Sequence, residues 1–201
     1  MKSNIFFGFV FFLACGCSGL NKQVNQIKAL ENCKYEIQSA DSISVANVNI
    51  QDLLGKDKFD LLKMPRIALA LLRRNVPLKG RINLQIHNPA NQLAAINQFE
   101  YKVLIKSKEL ASGFVNQKIS VSPGETISVP IEINSNIYDV LSDQKALDAV
   151  YDFIIGAEDG RERKQSFSVK IKPTLDFGNR QIQYPGYITI EKEVGSKELL
   201  R

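Results

Sequence analysis

From Ile82 onward the chain alternates between apolar and polar positions. Ile82, Leu84 and Ile86 are interleaved with Asn83, Gln85 and His87, and Phe99, Tyr101, Val103 and Ile105 alternate with Glu100, Lys102, Leu104 and Lys106. Successive side chains of an extended strand point to opposite faces, so a period of two describes strands with one face buried and one wet. The pattern returns at Ile127, Val129, Ile131 and Ile133 against Ser128, Pro130 and Glu132, and at Phe167, Val169 and Ile171 against Ser168 and Lys170. Pro130 brings no N–H to a ladder, which assigns its strand to a sheet edge. Turn signals separate the runs: Asn88-Pro89, Ser112-Gly113, Pro123-Gly124, Asp159-Gly160 and Pro185-Gly186. Many short strands punctuated in this way predict a sandwich.

Two stretches break the alternation and predict two short helices. Lys63 to Arg74 is apolar nearly all round from Ile67 to Leu72. Pro65 is tolerable there only in a first helical turn, and Arg73-Arg74 suit the negative end of the helix dipole. Ser142 to Ile155 carries Leu147, Val150, Tyr151 and Ile154 at steps of three and four, with Asp143 near its start. Neither reaches the roughly 20 residues that a membrane span requires. Both are expected to act as lids over the open ends of the sandwich.

The N-terminus has a different grammar. Lys2 supplies a positive charge, Ile5 to Ala14 is apolar apart from Gly8, and Gly16 places a small residue before Cys17. This pattern predicts the leader of a bacterial lipoprotein, in which the cysteine after the apolar run is acylated and the peptide bond before it is cut. Cys15 also follows a small residue, Ala14, but sits within the apolar run, so Cys17 is the favoured lipidation site. The expected organisation is a signal peptide over 1–16, a lipidated N-terminus and polar tether over 17–31, a β-sandwich domain over 32–194 and a C-terminal tail over 195–201. Ser18 follows the cysteine and no acidic residue lies close behind it, which by lipoprotein sorting logic predicts an outer-membrane location facing the periplasm. Several acyl chains on one cysteine make such attachment effectively permanent, where one chain holds only marginally.

Composition narrows the function classes. The chain has 201 residues, 44% hydrophobic and 23% charged, which is ordinary for a folded domain and enough to build a core without metal or disulfide. Its net charge of +5 is spread out, and the densest basic patches, Arg73-Arg74 and Arg161 to Lys164, are too short for a nucleic-acid footprint. With Cys15 removed and Cys17 acylated, Cys33 has no partner and is expected to be a buried, inert thiol. A single histidine, His87, cannot assemble a Cys/His metal site, and it follows Ile86 on the opposite face of a strand, so it is expected at the surface. Carboxylate pairs such as Asp57/Asp60 and Glu158/Asp159 read as solvated charge, and the glycines show no phosphate-binding fingerprint. No catalytic residue, metal or cofactor is expected.

Certain residues and their order resemble a known family. Leu84-Gln85-Ile86-His87-Asn88-Pro89, then Phe99-Glu100-Tyr101-Lys102-Val103, then Glu109-Leu110-Ala111-Ser112-Gly113, then Pro123-Gly124 and Ile127 to Ile133, resemble the late embryogenesis abundant type-two domain, also called the water stress and hypersensitive response domain. The likeness spans roughly Cys33 to Pro173. It extends to lipid-anchored bacterial members through Cys17-Ser18-Gly19-Leu20, Asn32-Cys33, Lys172-Pro173 and Tyr184-Pro185-Gly186-Tyr187-Ile188. The resemblance implies an immunoglobulin/fibronectin-like antiparallel β-sandwich, an association with desiccation and stress tolerance, and no enzyme activity. The chain departs from the family after Asn88-Pro89, where Ala90-Asn91-Gln92 intervene before Leu93 to Ile96 and predict a longer turn.

Read from their chemistry alone, the motif residues are structural. Asn88 can accept a backbone N–H in an Asx-turn, Pro89 stops the strand, and Gly113 is expected in a turn where positive φ is open to it. The expected function is therefore a non-catalytic, membrane-anchored envelope lipoprotein whose sandwich is a binding or stress-protection module. Its partners would be the membrane, through the acyl chains, and an apolar or polypeptide ligand, with no nucleic acid; the alternative is a structural subunit of an envelope complex.

Overall fold

The computed structural model describes residues 18–50, 52, 65–105, 107–145, 164–177 and 180–195. Cys15, Cys17, the leader, the Asp159-Gly160 turn and the end of the expected tail lie outside the described residues. The fold is mainly β with antiparallel pairing throughout. Eleven strands are described: β1 (Lys34–Val45), β2 (Val48–Asn49), β3 (Pro77–His87), β4 (Ala94–Ile96), β5 (Gln98–Ile105), β6 (Lys108–Val115), β7 (Ile119–Val121), β8 (Thr126–Asn136), β9 (Lys164–Phe177), β10 (Arg180–Gln183) and β11 (Ile188–Gly195). They are joined by helices α1 (Ser18–Asn32), α2 (Pro65–Leu72) and α3 (Tyr138–Ser142).

The first sheet runs β2-β1-β3-β8, and the second runs β10-β9-β5-β6 with β11 also on β9. β11 pairs with β9 from Lys164 to Ile171 and β10 pairs with it from Thr174 to Phe177, so the two follow each other along one flank. In β5 the expected alternation is complete: Phe99, Tyr101, Val103 and Ile105 are all buried. Phe99, Tyr101 and Val103 meet Val169 and Ile171 of their own sheet and Ile82, Leu84, Ile86, Val129 and Ile131 of the first in one continuous core. Burying each such side chain contributes about 1.5–3 kcal/mol, the force that holds two sheets face to face. β8 is the edge strand that Pro130 predicted.

Each end of the sandwich is closed differently. At one, Ala29 and Leu30 of α1, with Cys33 and the small sheet β4-β7, join the main core. The packed body therefore reaches upstream of the expected boundary at Asn32, and the polar segment expected as a tether is helical. Tyr35 fixes its end by donating from Oη to the carbonyl of Leu30 at 2.9 Å, satisfying one of the acceptors a helix terminus leaves open. At the other end, α2 starts on Pro65 as expected and buries Ile67 and Ala70 against Ala46, Val76, Ile137 and Leu141. α2 closes in a Schellman motif: Asn75 N–H donates to Ala70 O and Arg74 N–H to Leu71 O, both at 3.0 Å, with Arg74 at φ 52°. α3 precedes the stretch where the second helix was expected, and that stretch beyond residue 145 lies outside the described residues. β11 extends through Gly195, one residue into the expected tail.

The two long edges of the sandwich are stitched by side chains that reach backbone carbonyls. Tyr101 Oη of β5 donates to the carbonyl of Glu132 in β8 at 2.7 Å. On the opposite edge Lys192 of β11 donates to Ile37 O at 2.8 Å and to Gln38 O at 3.4 Å, where the register of β1 slips between Ile37 and Ser39. Gly113 belongs to the first stitch and not to a turn, which corrects the sequence expectation. It lies inside β6 opposite Tyr101, and a Cβ there would stand 2.8 Å from Tyr101 Oη and 2.9 Å from its ring. The space is needed by the tyrosine, and the β5–β6 turn falls instead at Ser107, with φ 68°.

The corner after β3 turns on Asn88, which is fully buried. Its Oδ1 accepts the N–H of Ala90 at 3.0 Å, the expected Asx-turn, while Nδ2 donates to Gln92 O at 2.8 Å and Val121 O at 2.9 Å. Its backbone donates to Glu125 O and accepts from Gly124 N–H, locking the β7–β8 turn onto the corner. Pro89 follows β3 and ends it, and β4 begins at Ala94 after the longer turn.

Two outcomes follow. Asn88→Ala leaves three polar groups without their partner and is expected to cost about 3 kcal/mol in urea unfolding. Asn88→Asp gives no rescue at neutral pH because its carboxylate would face two carbonyls; wild-type stability in either variant would refute the assignment. Gly113→Ala is expected to cost about 1–3 kcal/mol. That cost should shrink in a Tyr101→Val background, and an unchanged cost would show that the tyrosine ring is not what the glycine accommodates.

Candidate binding face

The described residues singled out in the sequence lie in separate places. Cys33 is buried, and burial pushes its thiol up from the ordinary range against a smaller opposing effect of its hydrogen bond with Tyr35. Burial likewise pushes the Tyr35 phenol far up. His87 Nδ1 lies 2.9 Å from Thr126 Oγ1 on the outer side of the first sheet. Asn88 and Pro89 serve the corner, Gly113 the edge stitch, and the structure does not bring these three together. Among the described residues no cluster of His, Cys, Asp and Glu is arranged to hold a metal, and no helix is long and apolar enough to cross a membrane. Asp57/Asp60 and Glu158/Asp159 lie outside the described residues.

A groove of about 190 Å³ opens between α1 and the Asn88 corner, lined by Asn25, Lys28 and Asn32 on one side and Asn91 and Gln92 on the other. Ala29 and Ala90 complete a lining of mixed polar and apolar character.

The outer faces of the two sheets differ. On the first, polar groups are spent on one another. Asn83 Nδ2 donates to Ser39 Oγ at 2.8 Å and to Asp41 Oδ2 at 2.5 Å, Ser39 Oγ donates to the same carboxylate oxygen at 3.0 Å, and Arg81 pairs with Glu132 at 2.6 Å. On the second, four residues stand in one row across the strands. Phe114 of β6 pairs with Glu100 of β5, and Glu100 with Lys172 of β9. Ile188 pairs with Ile171, which puts Tyr187 at the level of Lys172.

This row carries an exposed aromatic ring at each end. Phe114 is 69% exposed and Tyr187 37%. The tyrosine is pinned: its Oη donates to Glu100 Oε1 at 2.7 Å, and Lys172 Nζ stands 5.6 Å from its ring centroid, within cation–π range. The hydrogen bond to Glu100 is the main reason its phenol sits above the ordinary range. One step along the strands, Ser112, Lys102, Lys170 and Thr189 form the next row. Lys102 bonds Glu109 at 3.0 Å, which raises the ammonium and lowers the carboxyl from their ordinary values. On the other side lies a row of Gln98, Thr174 and Gln183.

Sequence reading missed this face for a definite reason. Placing a turn at Ser112-Gly113 broke the strand parity that sends Phe114 outward when Ala111 points inward. Glu100 and Tyr187 sat in quoted motifs, but only the pairing of β9 with both β5 and β11 puts them in one row.

No family model matches the chain, and no curated protein matches it. Among solved structures it is similar to a protein from Archaeoglobus fulgidus, with 16% identity over 59% of this chain and 85% of that one, at a TM-score of 0.34. It is also similar to a protein described as a candidate late embryogenesis abundant (LEA) protein, with 13% identity over 88% of this chain and 76% of that one, at a TM-score of 0.36. A third, from Arabidopsis thaliana, has 14% identity over 60% of this chain and 70% of that one, at a TM-score of 0.35. All three likenesses are distant.

Proposed function

We propose that this chain is a lipid-anchored envelope protein, acylated at Cys17, whose sandwich serves as a non-catalytic binding module at a membrane surface facing the periplasm. The observation that carries the reading is the continuity of α1. Helix α1 (Ser18–Asn32) covers the segment that follows the lipidation candidate in sequence, and its last turn is buried in the main core through Ala29 and Leu30. Fifteen helical residues make a strut of about 22 Å, so an anchor at Cys17 would couple to the sandwich through ordered structure.

The resemblance to the late embryogenesis abundant type-two domain supports a stress-protective role for the same module. A second reading, a structural subunit of an envelope complex, is favoured by the far end of the sandwich. There α2 exposes Leu69 by 45% and Leu72 by 83%, apolar surface of the kind that partner chains cover.

Replacing Cys17 with alanine in the full chain should move the protein from the membrane to the soluble fraction and abolish the acylated N-terminal peptide in a mass spectrum. Retention with Cys15 intact and acylated would transfer the anchor to Cys15; retention with neither cysteine acylated would overturn the lipoprotein reading. A native mass spectrum of detergent-extracted protein separates the two functions, a bound ligand supporting the module and stoichiometric partner chains supporting the subunit.

A further inference from the structure

We propose that the open edge of β6 binds an extended segment of another polypeptide, which adds to the second sheet as a further antiparallel strand. The inference rests on the binding-module reading and names the ligand as a polypeptide. Every edge of a sheet risks recruiting a foreign strand, and the other edges of this sandwich are blunted. β2 is two residues long. β8 holds Pro130, which has no N–H, and its Glu132 carbonyl is taken by Tyr101. On the far flank of the second sheet β10 and β11 divide β9 between them, and Lys192 of β11 reaches across to the Ile37 and Gln38 carbonyls of β1.

β6 is protected only in its first half, by the charges of Lys108 and Glu109, by the tie from Lys108 to Asp143 and by the register shift opposite Val103 and Leu104. From Ala111 to Val115 it pairs with β5 residue for residue, which leaves roughly 17 Å of regular edge. Leu110 to Val115 contains neither a charge nor a proline. In an antiparallel ladder alternate residues turn N–H and C=O away from their partner strand. Among the described residues no hydrogen bond outside the ladder reaches the backbone of β6. A line of donors and acceptors at strand spacing is the complement of an extended peptide backbone.

Phe114 supplies the side-chain part of the recognition. It is 69% exposed on the outer face, where a strand laid beside β6 would set a residue directly across from it. Cross-strand pairs of an aromatic ring with a β-branched or second aromatic side chain are favourable, so the segment carries such residues at alternate positions. Lys108 and Glu109 are already paired with Asp143 and Lys102, and the edge makes no demand for charge. A second copy of this chain does not fit. Antiparallel pairing of two β6 edges turns one molecule end over end, and two α1 helices at opposite ends could not both reach one membrane through Cys17.

Hydrogen–deuterium exchange of the detergent-solubilised full chain, with a soluble synthetic peptide of alternating threonine and valine around a central phenylalanine, tests the assignment. The peptide should slow exchange of the outward amides of β6 and leave those of β8 and β11 unchanged. Binding should be roughly fivefold weaker in a Phe114→Ala variant that keeps the wild-type thermal melt, the loss of one aromatic cross-strand pair. The fully N-methylated counterpart of the peptide keeps its side chains but lacks its backbone donors, and should give no protection. Equal protection by that counterpart, protection confined to β8 or β11, or no protection by either peptide would overturn the edge. So would a dimer whose formation slows the same amides, since a second copy would then be the occupant. A non-peptide ligand in the native mass spectrum with β6 still exchanging would overturn the edge and leave the binding module standing; stoichiometric partner chains that leave β6 exchanging would overturn both.

Discussion

Two sheets pressed face to face bury apolar side chains readily, but wherever a strand stops, slips or ends at an edge they strand backbone carbonyls and amides, and a buried orphan costs about as much as a hydrophobic side chain earns. The architecture here turns on how those groups are met. Asn88 meets five of its corner's hydrogen-bonding needs at once, using both amide atoms and its own backbone. At the opposite end Asn136 does a parallel job. Its Oδ1 accepts from Val76 and Tyr138 N–H groups at 2.9 and 3.1 Å, and its Nδ2 donates to Arg74 O at 3.2 Å, tying the end of α2 to the starts of β3 and α3. One asparagine at each end positions the connections, and Tyr101 and Lys192 close the edges between them.

Closing a sandwich with side chains has a consequence for what its surface can do. The stitches use inward or edge positions, so the outward positions of the second sheet are not needed for the fold. That face can carry exposed rings and lysines without weakening the core, whereas the outer face of the first sheet has tied its amide, hydroxyl and carboxylate groups into mutual hydrogen bonds. A saturated polar face is hydrated and inert. A face with a pinned ring at one end and an exposed ring at the other keeps interactions in reserve.

Much of the fold was legible where one force acted alone. The strict alternation of Phe99, Tyr101, Val103 and Ile105 needed only burial on one side, and it was recovered residue for residue. Pro65 and Pro130 were readable because a missing N–H restricts them to few places. Legibility failed where two residues far apart in the chain share one space. Gly113 has the chemistry of a turn, and nothing near it reveals that a tyrosine twelve residues earlier must lie against it. The polar run before Glu31 looks like a tether because its apolar residues are few, yet Ile27, Ala29 and Leu30 near its end are held by the core. Asn136 gave no signal at all, since an asparagine between a strand and a helix is unremarkable until its three partners are brought around it.

The placement of the rings follows from the same logic. An exposed phenylalanine on an edge strand is a liability, because edges recruit other strands, and such edges are usually blunted with charge. β6 carries Lys108 and Glu109 at its start, and Lys108 is tied to Asp143 at 2.8 Å beside α3, so the edge is guarded there and bare toward Phe114. Keeping a large ring on the unguarded half opposes solubility and adds nothing to the core. Such an arrangement makes physical sense when the ring works on something that arrives from solution, and its in-register partner across the sheet is a second ring already held in place.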